Sequence, residues 1–513
     1  MLSPISFSLR IRDTALSQAC LGGRYLAACC GRGDSAKRPS FKTILVKSHL
    51  RPTILLAYPV VLSQLGHILV SVCDSVMVGQ TGKLPLAAVS VGVSTTTVLL
   101  VLGLGISMGA VPRVAAANGR GDNAALGHLL VGTIWLNTLV GVLLAGLSQL
   151  LPLVMPHLHQ APEVVALATP WVRVVGLSLL PLMVFQGFRE WAEGLGLTSQ
   201  AMQLSILGNV LNALLCYAFI FGHFGSPALG LMGAAWATLI SRVVMAAMMA
   251  LFVLRAKQLR TRRPAEAGTW LRPGLAELRG QLALGLPIGV QMMFEVGAFA
   301  ASALMMGWLG VATQAAHQIA INVASVTYMS ASGIAAAATI RVGNLRGSGD
   351  LAGARQAGFA AYWLAFGFMG TMGLLLIICR HFIPTYYNTD PAVVAQAATL
   401  LTIAAAFQVS DGLQVVGLGA LRGLEDVKVP SVVALLAYWA IALPLGYGLG
   451  FGLKMGAPGV WVGLLTGLTI VAAVLLHRFR QQSEPGRRPP GAPTPARQLV
   501  EAEEMLVRGQ PAG

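Results

Sequence analysis

The deep ionisable candidates within the long apolar runs of this 513-residue chain are His67, Asp74, Arg242, Glu295, His317 and Asp411. Glu295 is the plainest case. It sits in QMMFEVGAFA, and no other charge occurs between Leu282 and Leu309. A charge at the centre of a bilayer costs roughly 2.5–3.5 kcal/mol on insertion scales. Those that are kept face a protein interior or an aqueous path and mark ion or substrate routes. Asp74 lies in SVCDSVMVG and Asp411 in FQVSDGLQVVG. Against these three acids the runs hold no lysine, and Arg242 is the one arginine deep in a run. An electronegative interior suits a cationic substrate, a proton or Na⁺, and suits an anion poorly. Desolvation disfavours the charged form of a carboxylate and a nearby cation favours it. Such a group can exchange a proton for a cation as its surroundings open to either side, which is the physical basis of antiport.

The surrounding residues are softer signals. His67 and Asp74 are seven apart, two helical turns, and share a face. Asn209 and Asn212, in LGNVLNALLCY, are either interhelical glue or ligands. His317, in AAHQIAIN, reads as a structural hydrogen-bonder near a helix start. Met292, Met293, Phe294, Met305 and Met306 read as packing at helical spacing. Methionine and aromatic side chains also suit an adaptable site for apolar cations, and Met292 is carried as a secondary site residue.

These residues need helices to position them. The chain is 55% hydrophobic and 11% charged, far below the ~25% charge of soluble domains. It resolves into twelve apolar runs of bilayer-spanning length, near 53–79, 84–110, 125–151, 166–188, 200–222, 229–254, 281–309, 312–340, 356–379, 391–420, 430–451 and 456–477. Residues 255–280 form a central linker with seven basic and two acidic residues. Basic residues crowd the loops on that side, among them Arg113, Arg120, Arg189, Arg341, Arg346, Arg355, Arg422 and Lys428. The opposite loops hold Lys83, Arg380 and Lys454. The bias predicts cytoplasmic termini and a cytoplasmic linker.

The halves overlay without a gap at a shift of 228 residues. Fifteen of the 66 positions from 57 to 122 match 285 to 350, including Pro59 with Pro287, Gly79 with Gly307, Gly82 with Gly310, Gly105-Ile106 with Gly333-Ile334, Arg113-Val114 with Arg341-Val342, and Gly121-Asp122 with Gly349-Asp350. Six spans per repeat give both halves the same orientation. The expectation is an all-α polytopic membrane protein with twelve transmembrane helices in two pseudo-symmetric six-helix lobes. Its divisions are a basic, disordered extension over 1–51, an N-terminal lobe over 52–254, a linker over 255–280, a C-terminal lobe over 281–477 and a disordered cytoplasmic tail over 478–513. The shift sets Glu295 opposite His67 and Asp74 opposite Ser302, so the two lobes use one face at different depths.

Other chemistries find no footing. There is no GxxxxGK[ST] phosphate loop, no HExxH and no GxSxG, so neither ATP-driven transport of that kind nor an enzyme is expected. The six cysteines show no disulfide framework and no metal-ligand spacing beyond the adjacent pair Cys29 and Cys30. The formal charge of +16 follows from basic cytoplasmic loops and gives no reason to expect nucleic acid.

Several long motifs then carry a likeness. FEVGAFAASALMMGWLG, AAHQIAINVASVTYMSASGI and IRVGNLRG, with SVCDSVMVGQTG, FIFGHFGSPALGLMG and FQVSDGLQVVGLGALRGLEDV, resemble the multidrug and toxic compound extrusion family in its bacterial NorM-like branch. The likeness covers roughly 52–480. It implies export of organic cations and drugs across the inner (plasma) membrane, by a monomer, in exchange for Na⁺ or H⁺ and with no cofactor. It implies cation or proton sites at Asp74, Glu295 and Asp411, with Na⁺, if used, at Glu295 and Asp411. The family's fifth-span asparagine pair is matched by Asn212, while Cys216 stands at the second place. Phe407 stands where an aromatic hydroxyl is common, four residues before Asp411. A lipid-linked precursor flippase of similar two-lobed design is the rival. It would need cations at its centre to hold a pyrophosphate.

Overall fold

The structure is a computed structural model that describes residues 41–158, 161–264, 267–271 and 273–484. Met1–Leu45 and Val46–Gly513 are separate units, and the membrane spans belong to the second. Among the described residues every regular element is helical. A bilayer interior offers the backbone no water, and a helix satisfies its own N–H and C=O groups. Twelve helical stretches are long and apolar enough to cross: His49–Gln80, Lys83–Arg120, Asn123–His157, Pro162–Gly194, Thr198–Phe221, Leu231–Arg255, Leu275–Trp308, Val311–Gly347, Leu351–Cys379, Pro391–Gly423, Lys428–Gly452 and Ala457–Gln482. We number them as spans 1 to 12.

The boundaries depart from the sequence reading at informative places. The helix of span 1 starts at Phe41, inside the stretch assigned to the extension. Span 7 starts at Leu275, inside the assigned linker, whose other helical pieces are Lys257–Arg262 and Ala267–Leu271. The earlier part of the extension and most of the tail lie outside the described residues. Span 4 is jointed at Ser178, between helices Pro162–Leu177 and Leu179–Gly194. Span 11 contains two π-helical segments, Ala437–Ala442 and Gly448–Gly452.

The repeated motifs now have reasons. Gly121 and Gly349 take φ of 70° and 81°, the left-handed region that glycine enters freely. The following aspartates cap spans 3 and 9, Asp122 accepting from Ala125 N at 2.9 Å and Asp350 from Gly353 N at 2.7 Å.

The two halves also touch in two-fold related pairs. Arg113 Nη1 donates to the Glu277 carbonyl at 2.9 Å, and Arg341 Nη1 donates to the His49 carbonyl. Each arginine and each acceptor is 228 residues from its counterpart. A Cβ on Gly119 would lie 2.0 Å from the Asn344 carbonyl oxygen, and one on Gly347 would lie 2.1 Å from that of Ala116. Gly105 meets Gly289, and Gly333 meets Val61. Ala115 and Gly343 are each other's equivalents and face each other, a Gly343 Cβ falling 3.0 Å from that of Ala115. The pseudo-two-fold axis therefore passes beside this pair. Spans 2 and 8 reach the meeting point at their basic-loop ends.

Each half has its own apolar interior. The second is one large core that includes Trp461, Phe407, Tyr438 and Phe479. The first has two, one around Phe185, Trp191 and Met183, the other around Trp171, Met155 and Cys216.

Candidate ion and substrate sites

Glu295 sits partway along span 7 and is partly buried. Its Oε1 accepts from Gln414 Nε2 and from the Tyr438 hydroxyl, each at 3.1 Å. Gln291, one turn back, approaches Oε2 at 3.5 Å. Tyr438 and Gln414 bond each other at 2.8 Å, so three elements converge on one carboxylate. The π-helical turn over Ala437–Ala442 presents Tyr438 to this site. Its neighbour Trp439 donates to the Phe294 carbonyl at 3.0 Å, pinning the turn of span 7 that carries Glu295. π-bulges often occur at functional sites.

Asp411 lies on span 10, one turn before Gln414, and is 4% exposed. It is within electrostatic reach of Glu295, and among the described residues no group donates a hydrogen bond to its carboxylate. Phe407, one turn before Asp411, is packed against Phe299 and Trp461 with ring centroids at 6.2 and 5.4 Å. It is 2% exposed. His317 Nδ1 accepts from Trp461 Nε1 at 3.2 Å, which is the structural role expected of it. Met292 is partly buried beside Gln291.

In the first half, Asp74 is partly buried on span 1. With its amide oriented to satisfy both ends, Asn212 donates to the two Asp74 oxygens at 3.2 and 3.3 Å and accepts from Ser241 Oγ at 3.2 Å. Cys216, one turn on, also reaches Asp74. Arg242 Nη1 donates to Ser178 Oγ at 2.7 Å, at the joint of span 4. His67 lies within electrostatic reach of Arg242 and Arg189. The acids thus form two separate groups, Asp74 in the first half and Glu295 with Asp411 in the second.

The sequence reading missed Gln414 and Tyr438, because an uncharged polar residue in an apolar run carries little signal alone. It also placed Arg189 in a loop. Arg189 is instead buried inside span 4, bonded to Glu193 at 2.6 Å with Glu190 beside it. The spacing of four residues between Arg189 and Glu193 is the signal that could have found the pair.

Twelve helices in two repeated halves, each holding ionisable groups in its interior, define a polytopic membrane protein of a transporter type. The MatE family model matches residues 59–218 and again 287–448. The second match begins where the shift of 228 places the start of the first. The chain belongs to the MatE family. It is 35% identical over 437 residues to a probable multidrug resistance protein NorM of Rhizobium meliloti, covering 84% of this chain and 93% of that protein. It is 33% identical over 455 residues to the multidrug resistance protein PmpM of Pseudomonas aeruginosa, covering 88% and 95%. Among solved structures it superposes on a eukaryotic MATE transporter with a TM-score of 0.77, at 20% identity over 86% of this chain and 98% of that one. It superposes on an outward-facing multidrug resistance MATE transporter with 0.78, at 19% identity over 87% and 99%.

Proposed function

We propose that this protein is a multidrug antiporter that exports organic cations in exchange for Na⁺ or H⁺ by alternating access. The observation that carries this reading is the Glu295 cluster. A carboxylate inside a span, gathered by Gln414, Tyr438 and Gln291 and backed by Asp411, offers oxygen ligands to a small cation or a seat for a proton. Asp74 supplies the site in the first half. The six-span lobes over 52–254 and 281–477, joined by the linker 255–280, are the moving bodies. The basic-loop bias orients the termini to the cytoplasm. The contacts around Ala115 and Gly343 then form the cytoplasmic closure, and the inward-open state must break them.

The protein sits in the plasma membrane as a monomer. Its partners are the lipid bilayer and its drug cargo, and it needs no resident cofactor. The two acids of the second half and the multidrug names of the relatives favour this over flipping of a pyrophosphate-linked lipid. Efflux of ethidium from cells or everted vesicles, with the Na⁺ and pH gradients collapsed in turn, tests the reading. Ethidium efflux that survives collapse of both gradients would contradict it.

A further inference from the structure

A groove opens on the outer surface of the second half, between spans 9 and 10. It has a volume of about 360 Å³ and is lined by Gly370, Gly373 and Ile377 of span 9 and by Thr402, Ala405 and Ala406 of span 10. None of these is among the residues gathered at Glu295. A Cβ on Gly373 would lie 2.6 Å from the Ala405 carbonyl oxygen, so the two helices nearly touch there. A Cβ on Gly370, one turn away, would meet no atom within 4 Å. The groove is thus open space beside a tight helix crossing. Exposed apolar side chains of the same span surround it, among them Trp363, Phe366, Leu374 and Ile378. On a helix long and apolar enough to cross a bilayer, such a face meets acyl chains. An empty hollow in hydrocarbon forfeits dispersion contacts, and a chain that fills it gains them.

The rim of the groove carries a cation. Arg380 follows the last residue of span 9, and its Nη1 donates to the groove-lining Thr402 Oγ1 at 3.3 Å. Its Nε donates to His381 Nε2 at 3.2 Å. Its Nη2 makes no hydrogen bond among the described residues, and no carboxylate pairs with it there. The residues that follow include exposed Phe382, Tyr386 and Tyr387. Aromatic side chains of this kind collect at the membrane–water interface, the depth of lipid headgroups. Gly370 stands ~15 Å along the helix from Arg380, toward the membrane interior. An unpaired guanidinium at headgroup depth therefore heads an apolar groove that runs inward from it.

We propose that this groove binds one anionic phospholipid, with an acyl chain laid past Gly370 and Ala406 and the phosphate on Arg380. The charge selects the headgroup. A zwitterionic phospholipid brings its own ammonium, which the guanidinium repels, whereas an anionic one does not. A second copy of the chain suits the groove less well. A two-fold axis along the membrane normal would bring two Arg380 side chains to one depth at the contact. The inference rests on the membrane-spanning fold alone and holds whatever the protein exports.

Native mass spectrometry of the full chain tests this, because it counts bound lipids and protein copies together. The detergent-purified protein is stripped of loosely held lipid and titrated with palmitoyl-oleoyl phosphatidylglycerol or the matching phosphatidylethanolamine. The wild type should bind one phosphatidylglycerol about fivefold more tightly than phosphatidylethanolamine. Arg380→Gln should bind the two alike. Gly370→Leu puts a side chain into the groove with no atom to strike, and it should lose the tightly held lipid. Glycerol phosphate, the headgroup without its chains, should not displace that lipid from the wild type. An Arg380→Gln protein that keeps the full preference would overturn the proposal. So would displacement by glycerol phosphate, which would mark a site for a free anion. A wild-type dimer that Gly370→Leu turns into a monomer would assign the groove to a second copy instead.

Discussion

At the scale of single residues, ion coupling turns on what Glu295 is bonded to. The Tyr438 hydroxyl and Gln414 amide both donate to Oε1. A hydrogen bond to a charged group contributes about 1.5–3 kcal/mol. Tyr438→Phe removes one such bond and keeps the ring that packs near Phe299. The ion concentration that half-saturates efflux should change by about tenfold, falling for a proton, because the lost bond favoured the charged carboxylate, and rising for Na⁺, which loses a nearby oxygen. An unchanged half-saturation would show that the hydroxyl does not act on the ion. The three acids were legible in the sequence because a charge in an apolar run is conspicuous. Gln414 and Tyr438 were not, since a glutamine in a span is ordinary and the π-helical turn that aims Tyr438 leaves no mark in the periodicity. Arg189 was misplaced because it stands at the edge of its apolar run, where a charge reads as a loop.

At the scale of elements, the helices and their turns were largely readable. Length and apolarity found all twelve spans, and the paired Gly-Asp motifs marked the same capped turn in both halves. The ends were read too short at Phe41, Leu275 and Gly347, where the helices carry on past the apolar run. Span 4's joint and span 11's π-helical segments were hidden, because both leave the hydrophobic run unbroken. Packing energetics belongs to this scale. Trp461 is fully buried and gives its indole N–H to His317. Trp461→Ala should destabilise the second half by about 3–5 kcal/mol, through lost burial and a cavity. Trp461→Phe should cost less and leave His317 without its donor. Thermal unfolding of the detergent-purified protein in the presence of a bound ligand would rank them. Equal midpoints for the two variants would argue against a tightly packed core there.

At the scale of the whole molecule, the repeat was visible in sequence as fifteen identities at one shift. What it does in space was not. The shift says that two units are alike, and the structure adds that they meet about an axis beside Ala115 and Gly343. If that contact is the cytoplasmic closure, bridging it must stop the cycle. A doubly substituted protein, Ala115→Cys with Gly343→Cys in a background lacking other cysteines, should form a disulfide and lose efflux, and reduction should restore it. The Cβ separation of 3.0 Å is slightly short of the ~3.5–4.5 Å a disulfide prefers, so a small adjustment suffices. Full efflux with the bond intact would mean that the halves do not separate there. Gly119→Val should act oppositely. Its side chain would strike the Asn344 carbonyl and oppose closure, so efflux should fall by at least about tenfold.

The carboxylates of the second half, on this reading, bind the ion that drives export. That claim is tested most directly by measuring ethidium efflux in Glu295→Gln and Asp411→Asn proteins, with the Na⁺ and pH gradients collapsed separately. The wild type should lose efflux with one of the two gradients. Each variant should keep less than about a tenth of wild-type efflux and no longer respond to that gradient. Wild-type rates with normal ion dependence in both variants would contradict the claim.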